Sequence, residues 1–171
     1  MIRYPAPERV LLDTSLVIAS LYPRTANYNA AIAFSVELCR TGSVVCFSNV
    51  LRIEIARAMR RLATKPGNLP SRVWDEYDLN LWGTHPLIRQ RWLSNGVRRF
   101  NVYISQFSTA IELPMTTSIW LESIDLMAAE TLDAADAIHI ASARTYGIGH
   151  FCTTDADFRR IGWPAVHLIR D

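Results

Sequence analysis

The sequence predicts an α/β protein in which helices cover both faces of a mostly parallel central sheet. Short apolar runs alternate along the chain with longer segments whose apolar residues recur at helical spacing. Continuously apolar runs are typical of the buried strands of a parallel sheet, and such strands are joined by helical crossovers. The alternation therefore indicates a three-layer α/β/α architecture.

Five short runs are predicted to be strands because they are apolar and bounded by turn-forming or polar residues. They are Val10–Leu12, Val44–Phe47, Ile111–Leu113, His150–Thr153 and Val166–Ile169. Amphipathic spacing predicts the helices between them, with Ser48 or Asn49 as a cap before the third and Gly147 closing the last. These helices are Ser15–Leu21, Asn27–Arg40, a third that runs to about Ala63, Thr117–Glu130 and Leu132–Tyr146.

One domain over residues 1–171 is predicted, because this length suits a single core and half of the residues are hydrophobic. Residues 65–107 are rich in aromatic side chains and are predicted to form a helical insertion. The insertion is interpreted as two helices that meet near Gly83–Pro86, the second of them interrupted at Asn95–Gly96.

The composition argues against several classes of protein. A formal net charge of only +2 does not suit a basic chain that coats nucleic acid. The three cysteines are widely spaced and form no C-x-x-C pair, which argues against a disulfide framework and a structural zinc site. The N-terminal segment lacks the apolar core of a signal peptide, and no apolar run is long enough to span a bilayer. A cytoplasmic protein is therefore expected.

Acidic residues follow two of the predicted strands. Asp13 comes directly after the first, and ligands of open α/β sheets bind outside the carboxyl ends of the strands. The same position equally suits the cap of the next helix. Asp155 and Asp157 come just after a late strand, where an Asp-rich turn is the alternative to a functional pair. Position alone leaves the choice open for Asp13, whereas spacing alone favours the turn for Asp155 and Asp157.

Two further carboxylates lie on predicted helices. Glu54 stands at the edge of an apolar stripe, where a carboxylate needs a partner that an arginine or a metal ion could supply. Asp136 shares a face with Ile140, whereas Asp133 lies in the first turn of the same helix and suits a cap. His139 could touch the same site, although a histidine beside an isoleucine is more commonly a packed core residue.

Four segments, in their order along the chain, resemble the acidic motifs of PIN-domain ribonucleases. The closest type is the VapC-like toxin of prokaryotic toxin–antitoxin pairs. The segments are LLDTSLVIA, SNVLRIEIARAM, LDAADAIHIASA and HFCTTDADF. The resemblance covers about residues 10–63 and 111–169 and leaves out the predicted insertion. It implies a PIN-like form of the three-layer fold.

By position, the resemblance implies that the catalytic, metal-binding carboxylates are Asp13, Glu54, Asp136 and Asp155. Supporting residues would be the hydroxyl side chains next to these acids and one more variable acidic position. They are Thr14, Ser15, Thr154 and Asp157. Ser48 matches a frequent hydroxyl position before the helix that carries the glutamate. Because none of the four acids is missing, an active copy of the family is expected.

The implied activity is hydrolysis of RNA phosphodiester bonds, leaving a 5′-phosphate and a 3′-hydroxyl. Ligands that are all oxygen favour a hard cation, so Mg²⁺ or Mn²⁺ is the expected cofactor. The metal would lower the pKa of a bound water and stabilise charge on the phosphate. Expected partners are the RNA substrate, a cognate antitoxin protein and a second copy of the chain in a homodimer, with no membrane.

Two other enzyme classes with an aspartate after the first strand fit less well. An aspartate-nucleophile phosphatase needs a second aspartate where this chain has Ser15, and both it and a receiver domain need a late lysine, whereas Lys65 is the only one. Two alternatives stay open: a non-catalytic RNA-binding or protein-interaction module on the same fold, and a free-standing RNA-processing nuclease. Six arginines are candidates for backbone contacts, with a solvated surface as the alternative: Arg52, Arg57, Arg98, Arg99, Arg159 and Arg160.

Overall fold

A computed structural model describes residues 6–23, 25–64 and 86–171. In this part of the chain five parallel strands form one sheet in the order β3–β2–β1–β4–β5. They are β1 (Arg9–Leu12), β2 (Val44–Ser48), β3 (Thr109–Leu113), β4 (His150–Thr153) and β5 (Ala165–Leu168). The five predicted strands and their parallel arrangement are thereby confirmed, with differences only at the strand ends.

Six α-helices in the described residues connect and flank the strands. They are α1 (Thr14–Leu21), α2 (Tyr28–Thr41), α3 (Val50–Thr64), α4 (Pro86–Ile104), α5 (Thr117–Glu130) and α6 (Ala134–Thr145), with a 3-10 helix at Ala156–Arg160. None of these helices has the length and apolar character that crossing a bilayer requires.

Two apolar cores lie on opposite faces of the sheet, because successive side chains of a strand point to opposite faces. Helices α1 to α4 pack on the face that carries Val10 and Leu12, and α5 and α6 pack on the face that carries Leu11 and Cys46. The predicted three-layer α/β/α architecture is thereby confirmed. It brings the N-termini of the crossover helices to the edge where the strands end.

Local signals account for the helix ends. Asp133 caps α6 by accepting hydrogen bonds from the backbone N–H groups of Ala135 and Asp136, both at 3.0 Å. Gly42 ends α2 in the left-handed conformation, with φ of 68°. Asp133 thus has the capping role that its place in the first turn predicts.

Helix α4 is continuous through Asn95 and Gly96, so the predicted interruption there is wrong. The glycine serves a close helix contact instead, because a Cβ at position 96 would overlap the side chain of Met59 on α3. Met59 is itself buried, with 2% of its surface exposed. The preceding helix of the predicted insertion and most of the junction near Gly83–Pro86 lie outside the described residues.

Replacing Gly96 with Ala is expected to lower the free energy of unfolding by about 1 kcal/mol or more, because the added methyl overpacks the contact with Met59. In a helix interior with free space, the same change stabilises. Gly149→Ala, in the loop before β4, is a control for a methyl added in open space, since a Cβ there meets nothing within 4 Å. Urea denaturation measures both, and a Gly96→Ala variant more stable than wild type would contradict the close contact.

Candidate active site

Asp13 lies at the carboxyl end of the central strand, where its backbone N–H donates to the carbonyl of Cys152 at 2.9 Å. Its side chain is buried, and only one of its oxygens is held by hydrogen bonds. Oδ2 accepts from the Ser15 backbone N–H at 3.2 Å, from the Ser15 hydroxyl and from the Thr153 hydroxyl at 2.7 Å. Asp13 is therefore both the cap of α1 and a buried carboxylate whose Oδ1 has no hydrogen-bond donor among the described residues.

Glu54 reaches the same place from α3. Its Oε2 accepts from the Thr14 hydroxyl at 2.6 Å and from His139 Nε2 at 2.7 Å. Its Oε1 accepts no hydrogen bond within the part of the chain that the structure describes. The partner that the sequence required for Glu54 is thus a histidine and a threonine rather than an arginine.

His139 on α6 is fully buried at the centre of the cluster. Besides Glu54, it contacts the Ser48 hydroxyl through Nδ1 at 3.0 Å, and its Nε2 lies 4.0 Å from Asp13 Oδ1. The sequence favoured a packed core residue, and the structure shows a core residue that is also part of the site. Its position one helical turn after Asp136 was the signal that pointed to it.

Electrostatics tie Asp136 to the same group. Burial raises the pKa of its carboxyl to about 7, with the negative charges of Asp13 and Asp133 acting in the same direction. Burial also raises the pKa of the Asp13 carboxyl, although His139 opposes this effect. The carboxylates are therefore close enough for each to make ionisation of another less favourable.

For Glu54, burial acts to raise the pKa. The hydrogen bonds from His139 and Thr14, together with the charges of His139 and Arg57, outweigh this effect and hold the pKa below its ordinary value. Burial disfavours the charged form of His139, yet its contact with Glu54 and the charge of Asp13 raise the pKa of the imidazole. Glu54 is thus more readily kept charged without a cation than Asp13 or Asp136.

Asp155 joins this group only through the backbone. Its N–H donates to Thr153 Oγ1 at 2.9 Å, and its own side chain accepts from the Asp157 N–H at 2.9 Å to cap the 3-10 helix. The hydroxyl that contacts Asp13 belongs to Thr153, which the sequence did not single out, whereas Thr154 contributes its backbone N–H to Ser15 Oγ at 3.1 Å. The Asp157 side chain is exposed, with no contact to the other acids described.

The candidate arginines are spread over several surfaces. Arg52 forms a bidentate ion pair with Glu112, at 2.9 and 2.8 Å, so its guanidinium is already occupied. Arg57 acts electrostatically on Glu54. Arg98 and Arg99 line a cleft of about 320 Å³ between α1, α2 and α4 that contains none of the proposed site residues.

No three His, Cys, Asp or Glu side chains among the described residues form a group that could enclose a metal ion. The chemistry of the oxygens nonetheless fits Mg²⁺ or Mn²⁺, because Asp13 Oδ1 and Glu54 Oε1 are carboxylate oxygens that accept no hydrogen bond from residues 6–23, 25–64 or 86–171. Mg²⁺ is commonly held by one or two carboxylates with waters completing its shell. A cation would also relieve the repulsion from neighbouring carboxylates, which adds to the effect of burial in raising the pKa of Asp136.

Comparisons with known proteins agree with this fold. No curated protein matches the chain. A chain from the crystal structure of VapBC2 from Rickettsia felis, bound to a DNA fragment from their promoter, matches with a TM-score of 0.58. The match has 8% sequence identity and covers 93% of this chain and 97% of that chain, so it shows a shared fold. The family model of the PIN domain matches residues 10–164, and the chain therefore belongs to the PIN domain family.

Proposed function

We propose that this chain is a metal-dependent endoribonuclease whose active site is built from Asp13, Glu54, Asp136 and Asp155. The observation that carries the proposal is that Asp13, at the end of β1, and Glu54, on α3, lie close together and that one oxygen of each has no donor among the described residues. Membership of the PIN domain family supports it. An acidic group of this kind would repel a polyanionic substrate unless a cation were bound.

The residues of the chain would orient the ligand oxygens. Ser15 and Thr153 hold Asp13 through Oδ2, which leaves Oδ1 for the cation. Thr14 holds Glu54 through Oε2, which leaves Oε1 for the cation or for its water. Asp136 and Asp155 would complete the acidic set, directly or through water. When bound, Mg²⁺ or Mn²⁺ supplies a water of lowered pKa and stabilises charge on the phosphate.

We further propose that the nuclease is the toxin of a toxin–antitoxin pair. The four acidic segments resemble those of VapC-like toxins, and the matching solved chain comes from VapBC2. The partners would be an RNA substrate, an antitoxin protein and a second copy of the chain. Co-purification of a small protein encoded by the adjacent gene would favour this role, whereas a nuclease with no such neighbour would favour free-standing RNA processing.

The direct test is cleavage of a labelled single-stranded RNA by the purified chain with Mn²⁺, with Mg²⁺ and with EDTA. Cutting is expected with either cation and not with EDTA, and the products should carry a 5′-phosphate and a 3′-hydroxyl. A DNA strand of the same sequence tests the choice of nucleic acid. Cutting that persists in EDTA would contradict metal dependence.

Thermal melting of the same purified protein with and without Mn²⁺ distinguishes an enzyme from a non-catalytic binding module. A ligand that binds only the folded chain stabilises it in proportion to RT ln(1 + [L]/Kd), so Mn²⁺ should raise the melting temperature of a live site. A well-folded chain that binds RNA, fails to cut it and gains no stability from Mn²⁺ would be a non-catalytic module instead.

A further inference from the structure

His139 is a polar side chain in a buried, largely apolar part of α6. Ile138 and Ile140 on the same helix are buried, and the histidine is completely excluded from solvent. Both of its ring nitrogens are nevertheless used, Nε2 by Glu54 at 2.7 Å and Nδ1 by Ser48 at 3.0 Å. A buried imidazole with two specific partners restricts the orientation of whatever it contacts.

The partners define where the proton of the ring lies. A carboxylate only accepts hydrogen bonds, so the Nε2–H group donates to Glu54 Oε2. In the neutral ring, Nδ1 then accepts from the hydroxyl of Ser48, whose own exposure is 1%. Two hydrogen bonds thus connect Ser48 at the end of β2, His139 on α6 and Glu54 on α3. In each bond one group can donate and the other can accept.

We propose that His139 is a positioning residue of the active site, which holds the Glu54 carboxylate so that Oε1 is presented in one fixed orientation. This inference rests on the proposed nuclease function. Thr14 alone would anchor Oε2 by a single hydrogen bond, about which the carboxylate could turn. The second donor, at 2.7 Å, removes that freedom. Partners that orient ligands in this way typically contribute 10- to 100-fold to metal affinity or activity.

Three substitutions at this position separate the two ring contacts. His139→Gln keeps an amide donor at about the reach of Nε2 and can still bond Glu54. His139→Asn is one methylene shorter, so its amide can reach Ser48 but not Glu54. His139→Leu removes both contacts and keeps the bulk. We would measure four quantities for the three variants and for wild type. They are the melting temperature in EDTA, the rise in melting temperature caused by Mn²⁺, and kcat and KM on RNA.

We expect the His139→Gln variant to retain the wild-type kcat to within about fivefold. The His139→Asn and His139→Leu variants should lose roughly 10- to 100-fold in kcat with little change in KM. The Mn²⁺-induced rise in melting temperature should follow the same order. In a Glu54→Gln background, His139→Leu should add little further loss, because both changes act on one group.

The proposal is overturned if Asn or Leu keeps the kcat and Mn²⁺ response of wild type. It is also overturned if the kcat of His139→Gln is as low as that of His139→Leu. The same holds if the fold-losses in kcat of Glu54→Gln and His139→Leu multiply in the double variant. A wild-type protein that cuts no RNA would contradict the nuclease function but not this inference. The order of the Mn²⁺-induced rises in melting temperature would still test whether His139 acts through Glu54.

Discussion

Replacing Asp13 with Asn is expected to lower kcat for RNA cleavage by on the order of 10⁴-fold, the size of loss seen when a supporting carboxylate of a catalytic group is removed. The amide oxygen can still accept at the place of Oδ2, where Ser15 and Thr153 donate. At the place of Oδ1 the variant has an uncharged N–H donor, which cannot bind a cation. The Mn²⁺-induced rise in melting temperature should disappear together with the activity.

The fold of the Asp13→Asn variant should survive, because the substitution removes a buried charge and keeps the cap of α1. Its melting temperature in EDTA is therefore expected to equal or exceed that of wild type. Asp125→Asn is a matched control on the exposed face of α5 and should cut RNA like wild type. An Asp13→Asn variant that retains activity within threefold of the control would remove Asp13 from the active site.

Replacing Asp136 with Asn is expected to reduce kcat by on the order of 100-fold and to stabilise the metal-free chain. The two effects have one cause. Asp136 is held among other carboxylates, and burial and their charges raise its pKa to about 7. The Asp136 carboxylate therefore destabilises the folded state when no cation is bound, and it contributes to cation binding when one is present.

The pH dependence follows from the direction of this shift. Between the ordinary pKa of an Asp, about 3.9, and the folded value of about 7, the folded chain keeps a proton that the unfolded chain has lost. The contribution of this proton to the stability of the metal-free chain is therefore lost as the pH rises through that window. Asn has no such proton, so the advantage of Asp136→Asn should grow from pH 5 to pH 7 and level off above.

Calorimetry in EDTA at several pH values measures this difference, which should reach about 3–6 °C at pH 8. Asp125→Asn again serves as the control for the same substitution at an exposed aspartate. Equal melting temperatures of wild type and Asp136→Asn across the range would show that Asp136 is not held near the other acids. Unchanged Mn²⁺ binding by the variant would exclude it from the ligand set.

Local patterns predicted the elements of the fold well because they depend on neighbours along the chain. The strand at Val10–Leu12 is apolar throughout since both faces of the sheet are covered, and this is visible without knowing what covers them. Asp133 was recognised as a suitable cap from its place before an apolar helix. Gly96 misled the prediction, because a glycine in a helix indicates a break locally and a close contact only when Met59 is known.

The structure brings two of the predicted acids, Asp13 and Glu54, close to each other. Their contacts with Ser15 and Thr14 agree with the predicted supporting hydroxyls, whereas those with Thr153 and His139 were not predicted. A carboxylate at the edge of an apolar stripe showed that Glu54 needed a partner, and the helix spacing brought His139 near Asp136. Nothing in the sequence joined Glu54 to His139, which lie 85 residues apart. The choice between Thr153 and Thr154 likewise depended on which hydroxyl the end of β4 turns towards Asp13.

The sequence by itself determined the fold class, the order of strands and helices and the positions of four acids at or near the ends of those elements, because periodicity and capping are short-range properties. Only the tertiary structure decided which oxygen of Asp13 and of Glu54 is held by donors and which has none in the part of the chain that is described. Those hydrogen bonds join β1, β2, α3, α6 and β4, and their geometry exists only once parallel strands have brought their carboxyl ends together at one edge.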